Sequence, residues 1–416
     1  MKLRYPASGV FRFLVLCLAL FYGAPVFAKT HRVAPGGDLQ AQLDAASEGD
    51  TVELAQGAYR GNFFLRKRIT LRGKGATLDA GGRGTNLVVE AAGARVEGLS
   101  FRNSGKDLGA PDCCLYVKKS ATRATIHGND FEGCAFGIWI HETEHARITQ
   151  NRIVGTLRGH RSLRGNAIHL FNASRLVVAK NDIRGGRDGI YVSATEDCLI
   201  QENVIRETRY GVHYMYSYRN RLIANSSTHN FSGYALMESR GIHAIGNRAT
   251  DNELYGIMFR DVEDCKIERN VAERNGMGLF FYSSVDNVIR YNTVRHNEVG
   301  AKIWAGSDRN EVSSNAFIGN RTQVFYVSTL DLEWGKEPPG NFWADYVGWD
   351  QDGDGIGDRP YRIDSFSTRL IHRYPSAVLL LRSPALELLG HLEQSLPLLR
   401  VATLIDSSPQ VQVDTP

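Results

Sequence analysis

The chain carries almost no net charge once its first 28 residues are set aside. Its 49 lysines and arginines stand against 45 aspartates and glutamates, a formal +4. Lys2, Arg4 and Arg12 supply three of those charges with no acidic residue among them, which leaves +1. A near-neutral chain of interspersed signs gives no electrostatic footing for nucleic acid. Long apolar runs are missing too. The run at residues 13–22 is too short to cross a bilayer. With the basic residues before it and Val26, Phe27 and Ala28 after it, residues 1–28 read as a cleaved secretory signal. Cysteine is scarce. Cys17 leaves with the signal, and Cys113, Cys114, Cys134, Cys198 and Cys265 remain. An odd number cannot all pair within the chain, and no C-x-x-C spacing exists, so the cysteines alone make neither a zinc site nor a disulfide framework.

What the chain does have is a repeat. Asn129, Asn151, Asn181, Asn203, Asn225, Asn247, Asn270, Asn292 and Asn315 follow one another at steps of 22, 30, 22, 22, 22, 23, 22 and 23 residues. The long step contains a basic stretch at residues 157–164, read as a loop inserted in one coil. Eight or nine residues after most of these asparagines comes a glycine: Gly137, Gly189, Gly211, Gly233, Gly256, Gly278 and Gly300. An alternating segment follows each glycine, which is strand periodicity. Short strands and turns at this period predict an all-β, right-handed parallel β-helix. Its coils stack about 4.8 Å apart. Asparagine suits the turns because it tolerates left-handed backbone angles and can bond coil to coil. Cys198 and Cys265 alternate with Asn220, Asn287 and Asn310 at one turn position and read as small inward residues. The expected layout is a signal at 1–28, an N-terminal cap at 29–56, the β-helix at 57–340, an acidic-loop cap at 341–366 and a docking tail at 367–416.

If Ile138/Ile140, Ile168/Leu170, Ile190/Val192 and Val212/Tyr214 point inward, their neighbours point out. The outward pairs are Trp139/His141, His169/Phe171, Tyr191/Ser193, His213/Met215, Ala235/Met237, Met258/Arg260, Phe280/Tyr282 and Lys302/Trp304. This stripe of histidine, methionine and aromatic residues is either a binding surface or a face covered by a loop or the tail. Met215 and Met237 fall one coil apart in one column, with His213 beside them. Thioether plus imidazole is a ligand set that suits soft Cu(I). The expected copper ligands are therefore Met215, Met237, Met258 and His213. Methionines also serve as adaptable packing residues.

Asp350, Asp352, Asp354 and Asp358 occupy positions 1, 3, 5 and 9 of a calcium-type loop, with Gly355 at position 6. Position 12 is Tyr361 rather than glutamate, so this is not an EF-hand, although Asp364 could supply the missing carboxylate. Calcium or a similar hard cation is the expected occupant, against a plain Asp-Gly turn cluster.

Residues 341–361 (N-F-W-x-D-Y, then D-x-D-G-D-G-I-G-D, then P-Y) closely resemble the NosD family, and the likeness extends over nearly the whole mature chain. That resemblance implies a periplasmic accessory protein of nitrous oxide reductase maturation in denitrification. It implies association with the membrane through the permease and ATPase subunits of an ABC transporter, a copper chaperone upstream, and nitrous oxide reductase as the beneficiary. Apolar segments at residues 377–381 and 386–389 suit docking on a membrane subunit, or folding back as a cap. The rival reading is a polysaccharide hydrolase, lyase or epimerase. A glycosidase needs two carboxylates about the scissile bond, and the outward stripe has none. Glu142, Asp188 and Glu238 are scattered over different coils, and no Asp-Pro-His-Asp motif is present. The chain is therefore expected not to be an enzyme.

Overall fold

The computed structural model describes residues 28–110, 112–304, 306–327, 331–363 and 404–413, with isolated positions between 364 and 403. The expected signal, Asp364 and most of the apolar tail segments lie outside the described residues.

The chain winds into a right-handed parallel β-helix whose coils each contribute one strand to three long sheets. The first sheet has 13 strands, from Thr30–Val33 to Glu311–Ser313; the second has 12, from Phe63–Leu65 to Thr322–Val327; the third has 13, from Gly57–Arg60 to Phe342–Trp343. The inward residues of the second sheet stack in register as Ile138, Ile168, Ile190, Val212, Tyr234, Ile257, Leu279 and Ala301. All of them are buried. The repeated glycine is required by the stacking itself: a Cβ on Gly211 would lie 2.6 Å from the carbonyl oxygen of Gly233, and one on Gly233 2.5 Å from that of Gly256.

The asparagines bond coil to coil as expected, but not for the expected conformational reason. The left-handed residue is the one before each ladder asparagine, such as Gln150, Lys180, Glu202 and Ala224, at φ between 51 and 56°. The asparagine itself is selected for its amide. The Oδ1 of Asn225 accepts from both the backbone N–H and the Nδ2 of Asn203, at 3.0 and 2.9 Å. Its own Nδ2 donates to the Ile200 carbonyl at 2.9 Å and to the Oδ1 of Asn247 at 3.0 Å. The same pattern runs from Asn129 to Asn341. A second ladder, Asn230, Asn252, Asn275, Asn297 and Asn320, runs five residues further on. Cys198 and Cys265 take turn positions in a third: their backbone N–H groups donate to Asn220 and Asn287, and each thiol donates to a carbonyl two residues back.

Two boundaries differ from the sequence reading. Thr30–Val33 already pairs with Thr51–Leu54, so the stack begins before residue 57. Within 29–56 the capping element is the helix Leu39–Ala45, whose N-terminus is bonded by the Asp38 side chain and whose Leu39 and Leu43 are buried over the first coils. At the other end, residues 404–413, the last described part of the expected tail, pack on the end of the β-helix. Leu404–Asp406 joins a small sheet with Leu332–Trp334 and Tyr361–Arg362. Asp406 then terminates the asparagine ladder. Its Oδ2 accepts from the N–H of Asn341 at 2.8 Å, from Asn341 Nδ2 at 2.8 Å and from Trp343 Nε1 at 2.9 Å. Phe317, Trp343 and Tyr361 stack above the last coil. The physical reason is plain: the final ladder amide needs an acceptor, and only the returning chain supplies one.

Candidate metal centre

The outward face of the second sheet is not the open stripe that alternation suggests. Its first column runs Trp139, His169, Tyr191, His213, Ala235, Met258 and Phe280 in register. His169, His213 and Met258 are at most 9 % exposed and Ala235 is fully buried. The neighbouring column holds Ser193, Met215, Met237, Arg260 and, further on, the exposed Tyr282 and Trp304. Met237 and Met258 pack with Ala235, and Met215, Tyr210, Tyr255 and Phe280 close around them.

The cover comes from residues that sequence alternation passed over. The residue before each repeat glycine forms a third column, Asp188, Tyr210, Ser232 and Tyr255. Tyr210 lies edge-on to His213 with centroids 4.8 Å apart, and Tyr255 stacks on Phe280 at 4.6 Å. The signal was present as aromatic and acidic residues directly preceding the glycines. The inserted loop runs along the stack beside this column: Arg161 pairs with Glu253 and lies over the Phe231 ring.

His213 is the pivotal group. Its Nδ1 lies 3.0 Å from Oδ2 of Asp188, a fully buried carboxylate. Arg209 grips the same carboxylate with both arms, at 2.8 and 2.7 Å. Burial would raise the Asp188 pKa, but His213 and Arg209 hold it down to about 2. The Nε2 of His213 is buried and has no hydrogen-bond partner among the described residues, and neither has the Oγ of Ser232 in the adjacent column. The two nitrogens of an imidazole point apart, so Nε2 faces away from Asp188. The next residues in the His213 column are Ala235 and then Met258. Imidazole and thioether side chains gathered on one partly covered patch are a ligand set that suits a soft metal.

His169 is a different case: burial pushes its pKa down to about 3, its Nδ1 meets the Asn166 amide, and it stacks on Trp139 at 3.9 Å. The cysteines add nothing to this centre. Cys114 and Cys134 form a disulfide, and burial pushes the thiols of Cys113 and Cys265 up to about 12 and that of Cys198 up to about 11.

The four copper ligands expected from sequence thus lie on one patch, Met258 in the His213 column and Met215 and Met237 in the next. The acidic loop lies apart, at the C-terminal end. Asp350, Asp352 and Asp354 each bring an oxygen within 4.8 Å of the others. Asp358 instead accepts from the N–H of Gln351 at 2.8 Å. Asp350 is kept below the usual carboxylate range by the N–H groups of Gly355 and Gly353, so backbone donors already stitch the loop together. Trp343 is buried at the cap, whereas Trp349 is exposed with Arg359 over its ring.

Residues 153–348, which include this whole patch, match the family described as periplasmic copper-binding protein (NosD). A probable ABC transporter binding protein NosD of Pseudomonas aeruginosa is 38 % identical over 387 residues, 89 % of this chain and 90 % of the relative. A protein of the same description from Stutzerimonas stutzeri is 34 % identical over 421 residues, 96 % and 94 % of the two chains. Among solved structures, a lacto-N-biosidase from Eubacterium ramulus superposes with a TM-score of 0.50 at 14 % identity, over 70 % of this chain and 68 % of its own, a likeness of fold alone. With more than a third of its residues shared with one relative over nearly the full length of both, the chain belongs to the NosD family.

Proposed function

We propose that this protein is a periplasmic accessory factor that docks on an ABC transporter and carries Cu(I) towards assembly of the copper sites of nitrous oxide reductase, receiving it from a copper chaperone. Family membership supports the location and the transporter. The observation that carries the cargo is the buried Nε2 of His213, without a hydrogen-bond partner among the described residues, on the same patch of the sheet as Met215, Met237 and Met258. A group of that kind costs stability unless something occupies it. Cu(I) fits because neutral imidazole and thioether are soft ligands. The thiols, held protonated by burial, leave thiolate chemistry out of the centre.

A Cu(I) competition titration of the purified protein tests this, with His213→Ala and the double change Met237→Leu/Met258→Leu as comparisons. Both variants are expected to bind more weakly, and strains carrying them to yield copper-poor nitrous oxide reductase. Equal affinity in all three proteins would leave the patch as packing. The His213–Asp188 pair also has the makings of a general base. Tyr210, Tyr191 and Arg209 crowd that pair, and Arg209 already occupies the carboxylate, so incubation with a polysaccharide panel is expected to release no product.

A further inference from the structure

We propose that Asp188, clamped by Arg209, is a positioning residue that makes His213 a metal ligand by fixing its tautomer. The inference rests on the copper reading of the same site. An ionised carboxylate only accepts hydrogen bonds, so the contact of Asp188 Oδ2 with His213 Nδ1 at 3.0 Å requires the proton to be on Nδ1. In the neutral ring the lone pair then sits on Nε2, the nitrogen left without a partner. One contact points the other way: Arg209 lies 3.5 Å from the same Nδ1 and could donate to it. That distance is at the limit for a hydrogen bond, and the guanidinium already spends its Nε–H and an Nη2–H on Asp188 at 2.8 and 2.7 Å. The carboxylate therefore decides the tautomer.

The arrangement also fixes the ring in space. Asp188 comes from the preceding coil and His213 from the strand Tyr210–Met215. Tyr191 at 5.0 Å and Tyr210 at 4.8 Å hold the imidazole between them. Arg209, packed over the Tyr210 ring, balances the carboxylate so that it can remain ionised at zero exposure. A carboxylate behind a ligating histidine orients the ring and raises its basicity, and its loss typically costs about 10- to 100-fold in metal affinity. In this protein the carboxylate lies one coil away from the ligand, and no Asp-x-x-His spacing betrays it.

The test uses the full-length protein at one fixed pH with Cu(I) as the probe. Asp188→Asn keeps the shape but replaces an obligate acceptor by an amide, which meets only one of the two Arg209 donors and can donate to Nδ1 as well as accept from it, so the proton is no longer fixed on Nδ1. It is expected to weaken Cu(I) binding by about 10- to 100-fold while the protein still melts cooperatively. In the wild type, nitrogen-15 NMR of the imidazole is expected to find the Nδ1–H tautomer before copper is added. An Nε2–H tautomer overturns the proposal whether or not the variant folds. Unchanged affinity in Asp188→Asn together with a loss in His213→Ala overturns the positioning role and leaves the copper site standing. Unchanged affinity in His213→Ala as well overturns the site itself.

Discussion

The asparagine ladder inside the turn and the histidine-methionine column outside the sheet are products of one repeat, and their polar atoms fare differently. Inside, each ladder amide finds its acceptor on the next coil, and the last of them ends on Asp406. Outside, Trp139 Nε1, Ser232 Oγ and His213 Nε2 are buried without partners among the described residues. The ladder is complete within the chain, as a structural device has to be. Buried polar groups are usually paired, so the outward column is where a ligand from elsewhere would find donors and acceptors still open.

That contrast is sharpest in stability. Asn225→Ala would strand two donors of Asn203 and remove a donor from the Ile200 carbonyl, a loss of roughly 3 kcal/mol or more at about 1–3 kcal/mol per unsatisfied group. His213→Ala removes a side chain just as buried, but Asp188 keeps Arg209, so about 1–2 kcal/mol is expected. Urea midpoints of the two variants check the order. Equal losses would make the outward column as structural as the ladder and break the comparison.

The end of the ladder gives the next largest effect. Asp406→Ala leaves Asn341 and Trp343 donors without an acceptor and should cost roughly 2–4 kcal/mol. Asp406→Asn is the sharper variant because it keeps an acceptor oxygen. Burial holds the Asp406 pKa above the ordinary carboxylate range. An acid whose folded pKa is raised stabilises the fold most below its unfolded pKa, and that contribution falls as pH rises through the folded value. The asparagine variant should therefore gain on the wild type as pH rises from the acid range to neutrality. Denaturation midpoints at several pH values read this directly, and a parallel loss in both proteins would count against it.

Much of this architecture was legible. The spacing of Asn129 to Asn315 and the glycines eight residues on gave fold and inward register, because a stacked coil imposes identical demands at every turn. Met215, Met237, Met258 and His213 were found by alternation, since a strand's faces have period two. Alternation failed where the strand turns its corner at the glycine. Asp188 and Tyr210 precede that corner, where period two no longer says which way a side chain points, and their contact with His213 crosses coils. The second asparagine ladder was overlooked for a simpler reason: it shares the first one's period and differs only by an offset of five residues. The return of Asp406 to Asn341 spans 65 residues and follows no repeat at all.

Within the outward column itself, His169 and His213 separate by pH. His169 is held near pKa 3 by burial, against an ordinary value of 6.5. A base whose folded pKa is depressed stabilises the fold fully above its unfolded pKa and loses that stability as pH falls towards the folded one. Between pH 7.5 and 5 the loss assigned to His169 is about 2 kcal/mol, from about 1.4 kcal/mol per pH unit below 6.5. His169→Phe keeps a ring against Trp139 and should flatten the stability profile over that interval. An unchanged slope would mean that other groups set the acid sensitivity of this face.

The smallest effect is expected at the acidic loop, the one place where a site read from sequence is already saturated by the backbone. Asp350 accepts from Gly353, Asp354 and Gly355, and Asp354 from Ile356. The loop is further tied to the returning chain through Gly357 N–H on Pro409 and Val411 N–H on Gly355. Its shape therefore does not depend on a cation, unlike a site whose ligands converge only when metal is bound. Three carboxylates within 4.8 Å of one another would still attract calcium. Binding should stabilise by mass action alone, shifting Tm by about 1 °C for each kcal/mol gained in a chain of this length. Thermal melts of wild type and Asp352→Ala, in millimolar calcium and in chelator, measure it. A shift of about 2 °C or less in the wild type, absent in the variant, is the expected result. Unfolding of the cap in chelator would make this loop a structural metal site and remove its likeness to the self-sufficient ladder it adjoins.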